Sequence, residues 1–86
     1  MMKIWKPDQE EIKNTENWSI WEKEISKFDW YYDESETCFI LEGEAEVIDK
    51  NRNVIKFKKG DMVNFKKGLE CTWNILKPMK KRYLFG

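Results

Sequence analysis

Between Phe28 and Val47 the chain reads FDWYYDESETCFILEGEAEV, a stretch that gathers many of the side chains able to do chemistry. Glu36 supplies a carboxylate and Cys38, two positions on, a thiol; a second thiol, Cys71, comes later, followed by Trp73. Glu36 and Cys38 share strand parity, so in an extended chain they face the same way. A glutamate oxygen and two thiolates could in principle hold zinc. A free cysteine could equally be a small buried hydrophobe. The chain has no histidine. Imidazole is therefore missing both as a metal ligand and as the base that activates a thiol, and nucleophilic catalysis by a cysteine is not expected.

These side chains need elements to position them. KPDQEEIKN predicts one short helix, with Pro7 at its first position, Asp8, Glu10 and Glu11 at the positive end of the dipole and Lys13 at the other. From Trp18 onward the helical period gives way to short runs of β-branched and aromatic residues. Strands are predicted near Trp18–Glu24, Phe28–Tyr32, Thr37–Leu41, Glu44–Asp49, Val54–Phe57, Met62–Phe65, Glu70–Leu76 and Arg82–Phe85. DESE, EG, KNRN, KKGD and KKG supply the turn residues between them. Alternation sets Ala45 and Val47, Ile55 and Phe57, and Val63 and Phe65 toward a core. So many strands in 86 residues imply one all-β sandwich or jelly-roll barrel, at 18–86, behind a helical extension at 1–17.

Net charge is zero, which argues against a nucleic-acid partner. The charge is unevenly placed: five Lys against fourteen Asp/Glu up to Asp49 gives −9, and eleven Lys/Arg against two acids from Lys50 gives +9. Interleaved strands would offset these charges across neighbours. Lys77, Lys80, Lys81 and Arg82 read as a solvated strand face. The N-terminus lacks an apolar signal core, and no run approaches the ~18 apolar residues of a membrane span. A cytoplasmic protein with reduced thiols and no membrane partner is expected.

Glu36–x6–Gly43 and Gly60–x5–Lys66–x–Gly68–x2–Cys71 resemble the two-part signature of the cupin barrels. More narrowly, WSIWEKEISKFDWYYDESETCFILEGEAEV, KKGDMVNFKKGLECTW and PMKKRYLF resemble the small stand-alone cupins related to ureidoglycine aminohydrolase. The resemblance implies a single cupin-type jelly-roll β-barrel. In metal cupins, three histidines and the glutamate point into its mouth. Here the glutamate is Glu36 and the third histidine position is Cys71. The first two fall on Trp30 and Tyr32 or, one residue earlier, on Asp29 and Tyr31. The first placement gives Phe28, Trp30 and Tyr32 a common inner stripe and is preferred.

Indole does not ligate a metal in that way and phenol does so rarely, so no metal and no cofactor are expected. The implied cup is lined by Trp30, Tyr32, Glu36, Cys38, Cys71 and Trp73. A carboxylate among such rings is desolvated, which favours its neutral form unless Tyr32 or a cation bonds the ionised one. Three functions follow: a metal-free barrel binding a small polar or aromatic metabolite; an enzyme on a small nitrogenous or sugar-like substrate, with Glu36 as acid/base and Tyr32 as its hydrogen-bonding partner; or a structural dimer with a filled barrel. A homodimer is expected on each, because so small a barrel leaves strand edges to cover.

Overall fold

The computed structural model describes all 86 residues. The elements are β1 (Met2–Trp5), α1 (Gln9–Lys13), β2 (Ser19–Lys23), β3 (Ser26–Tyr31), β4 (Glu36–Asp49), β5 (Val54–Lys58), β6 (Met62–Phe65) and β7 (Glu70–Phe85). The strands join one sheet in the order β1-β6-β4-β7-β2, with β3 also on β7 and β5 also on β4. Every pairing is antiparallel. The inward residues of these strands form one core that includes Ile40, Val47, Phe57, Phe65, Trp73 and Ile75.

Two departures from the predicted elements have physical causes. The four runs expected at Thr37–Leu41, Glu44–Asp49, Glu70–Leu76 and Arg82–Phe85 are two long strands, β4 and β7. EG at 42–43 is therefore no turn but an irregularity inside β4, where the register with β7 shifts between Ile40 and Ala45. Gly43 has φ +96°, and a Cβ there would lie 2.3 Å from the Pro78 carbonyl oxygen. Only glycine fits both that dihedral and that approach. The shift changes parity along β4, so Glu36, Cys38 and Ile40 face inward before it and Ala45 and Val47 after it.

The second departure is at the N-terminus. Met2–Trp5, predicted as no element, forms β1 and pairs with β6 from Met2↔Phe65 to Trp5↔Met62. Pro7 then lies one residue ahead of the helix cap, not at the first helical position. Asp8 is the cap: its carboxylate accepts from the Glu11 amide at 2.8 Å, and Glu11 accepts from the Asp8 amide at 3.3 Å. Just past the helix, buried Thr15 accepts from Arg82 at 3.1 Å on the face of β7 that turns away from the core. Met62, which alternation turns away from the core residues Val63 and Phe65, is itself buried on that outer face, where it pairs with Trp5 and Phe39.

Candidate functional site

One end of the barrel opens into a half-enclosed cavity of about 160 Å³. Its wall comes from Trp21 on β2, Phe28 and Trp30 on β3, Tyr32 just beyond, Glu36 on β4, and Trp73, Lys81, Tyr83 and Phe85 on β7. Strand pairing brings them together: Trp21 lies opposite Lys81, Phe28 opposite Trp73 and Glu36 opposite Phe85. Phe28 stacks on Trp73 at 6.1 Å, and Trp21 meets Trp73 edge-on at 6.0 Å. Trp30 and Phe85 remain about half exposed.

The polar floor is a buried ion pair. Glu36 is 4% exposed and Lys81 5%. The Lys81 Nζ donates to Glu36 Oε1 at 3.2 Å and Oε2 at 3.0 Å. Tyr32 donates its hydroxyl to Glu36 Oε1 at 3.0 Å, and Trp73 Nε1 donates to the Tyr32 oxygen at 3.2 Å. Lys81 also lies 4.6 Å from the Trp73 ring centroid and 4.7 Å from that of Trp21. Carboxylate and ring faces together stabilise the ammonium away from water. No buried side-chain nitrogen or oxygen lacks a partner. Burial, reinforced by the Glu36 charge, pushes the Tyr32 phenol far above its usual range, so it serves as a neutral donor.

Residues 10–83 match the EutQ-like cupin domain. The chain belongs to this cupin family. A DUF861 family protein from Thermotoga maritima, known from its crystal structure, is 49% identical over 100% of both chains, with a TM-score of 0.97. The EutQ protein of Clostridium difficile is 17% identical, with a TM-score of 0.71 over 77% of this chain and 52% of that one. A putative ethanolamine utilization protein Q from Salmonella typhimurium is 18% identical, with a TM-score of 0.72 over 98% of this chain and 68% of that one. At such identities the last two show the fold alone. No curated protein matches the chain.

Within the cupin barrel the residues singled out in the sequence part company. Trp30, Tyr32, Glu36 and Trp73 meet in the cup. Cys38 and Cys71 do not line it, which corrects their expected place there. Cys38 is fully buried, and desolvation pushes its thiol up to about 12. Cys71 borders a second, open cleft that Trp30 also lines, beside Asp29, Tyr31 and Glu70. Burial pushes its thiol up to about 11, with the Asp49 charge adding to the effect. Both thiols are free. The donor set does not fit a metal: the family's glutamate position is held through both oxygens by Lys81, Cys71 stands outside the cup, and no group of three His, Cys, Asp or Glu converges.

Lys81 is the charged cup residue that sequence reasoning missed, with Trp21, Tyr83 and Phe85 beside it. Its place among Lys77, Lys80 and Arg82 predicts a solvated basic face. Lys77 does lie exposed, but Lys81 is buried. The pattern is alternation on either side of an exposed stretch at Leu76, Lys77 and Pro78: Cys71, Trp73 and Ile75 turn inward before it, and Met79, Lys81 and Tyr83 after it.

Proposed function

We propose that this cupin binds a compact polar or aromatic metabolite in the cup above Glu36 and Lys81, without a metal. The observation that carries the reading is a satisfied ion pair at the floor of an aromatic cavity with an open mouth. Concave, largely apolar sites with a few convergent polar groups are where small molecules bind. The size supports a small ligand: cavities on the order of 150 Å³ accept benzene.

The enzymatic alternative uses Glu36 as acid/base and Tyr32 as its partner. Glu36 is the sole carboxylate partner of the buried Lys81, so taking a substrate proton would leave that ammonium without its counter-charge. This favours binding over turnover. Kinship with the ureidoglycine aminohydrolase-like cupins fits the barrel, but that reaction, as the resemblance implies it, uses a metal and histidines. A homodimer in the cytoplasm completes the reading. The β1, β2, β3 and β5 strands each pair on one side only, and these edges suit a second copy. No helix is long and apolar enough to cross a membrane.

A thermal-shift screen of compact metabolites tests the proposal. A ligand present at 100 times its Kd stabilises the fold by about 2.7 kcal/mol. Each hit is then assayed for turnover with wild type and Glu36→Gln. Binding without turnover supports the proposal. Turnover that Glu36→Gln abolishes while binding persists establishes the enzyme instead. A screen without hits leaves the structural dimer, which light scattering would register as a stable pair.

A further inference from the structure

The charges and donors of the cup point to a narrower ligand class; the inference rests on the binding reading above. Lys81 carries three N–H donors, and two go to Glu36. Glu36 Oε1 accepts from Tyr32 as well as Lys81, whereas Oε2 accepts from Lys81 alone. Lys81 and Glu36 both line the cavity. The cup therefore presents one spare donor and one spare acceptor side by side, ringed by Trp21, Phe28 and Trp73.

Its charge is already balanced. Glu36 and Lys81 cancel, Tyr32 is a neutral donor, and the remaining wall is aromatic. A carboxylate ligand offers acceptors only: it could meet Lys81 but would face the Glu36 oxygens. An ammonium ligand offers donors only: it could meet Glu36 but would face Lys81. Either ion would add an uncompensated charge to a largely desolvated site, which is costly. A hydroxyl or a primary amide both donates and accepts, and carries no charge.

We propose that the cup selects uncharged ligands of about one ring that carry a hydroxyl or amide group, with the Lys81–Glu36 pair as its specificity device. Lys81 receives the ligand oxygen, and Glu36 receives the ligand's O–H or N–H.

Four probes of nearly equal size test this on the wild-type protein: benzyl alcohol, benzamide, benzoate and benzylammonium. Binding is followed through the indole N–H signals of Trp73 and Trp21 in NMR spectra, with that of Trp5 as a remote control. The neutral pair should bind at least about tenfold more tightly than either ion, a difference of about 1.4 kcal/mol. Glu36→Gln should move the preference toward benzoate, and Lys81→Met toward benzylammonium. Tighter wild-type binding of either ion would overturn the selectivity and leave the cup a binding site. Failure of all four probes to shift Trp73 or Trp21 would overturn the binding reading and the inference with it.

Discussion

Trp30 borders two hollows, and their chemistry differs. The cup holds one ion pair, about 5% exposed and wrapped in rings. The cleft carries Lys27, Asp29, Asp49, Lys50 and Glu70 with Cys71. Its ion pair, Lys50 with Glu70, leaves side chains that are 75% and 46% exposed. The cleft has more charges and more space, yet water screens them, and mobile side chains recover little energy from pairing. The cup has two charges, each fixed by several partners. In this fold, enclosure rather than the number of charged groups sets the cup apart from the cleft.

That contrast breaks most visibly at the two ion pairs. Lys81→Ala or Glu36→Ala strands a buried charge and should cost about 3–5 kcal/mol in urea unfolding. Replacing both with apolar residues, Glu36→Met with Lys81→Leu, should recover most of the loss, because no charge is left unpaired. Lys50→Ala should cost less than about 1 kcal/mol, and that little should vanish in high salt. Equal losses at the two pairs would erase the distinction.

The aromatic walls give a smaller contrast of the same kind. Trp73 is 2% exposed and stacked on Phe28, and Trp73→Ala should cost about 3–5 kcal/mol. Trp30 is 49% exposed, so Trp30→Ala should cost distinctly less and mainly widen the mouth. Unfolding midpoints of the two variants measure the difference.

The two thiols sharpen the comparison further. Free thiols ionise near 9.0, but Cys38 keeps its proton to about 12 and Cys71 to about 11. Between these values the unfolded chain binds fewer protons than the folded one, so stability falls as pH rises. Their contribution is intact below pH 9 and is lost between 9 and 12. Urea unfolding at pH 8 and pH 10.5 should show the loss, and Cys38→Ala should reduce its slope. The smallest effect expected is in reactivity: at pH 7.5 neither thiol should alkylate readily in the native protein, and Cys71, at the cleft, should precede Cys38.

The sequence disclosed the barrel more readily than the cup, for reasons visible at particular residues. Alternation at Ala45 and Val47, or Val63 and Phe65, is a local signal, and those residues are buried as it predicts. Gly43 was legible as special but not as a mid-strand irregularity, because the Pro78 carbonyl that crowds it is brought there by pairing with β7. Met2–Trp5 is likewise a strand only because β6 offers an edge. Trp30, Tyr32, Glu36 and Trp73 reach one cavity through the signature spacing and strand parity. Cys71 keeps the signature spacing but opens on the cleft. Lys81 was hidden because KPMKKRY places it among lysines and Arg82, and composition suggested solvent where parity pointed inward.

The most direct test of the central claim is a high-resolution crystal structure of the untagged wild-type protein soaked with benzyl alcohol. The account predicts the ring against Trp73, its hydroxyl within hydrogen-bond distance of both Lys81 Nζ and Glu36 Oε2, and the ion pair intact. A probe seated only in the cleft beside Cys71, or a metal ion on Glu36 with Lys81 turned away, would contradict it.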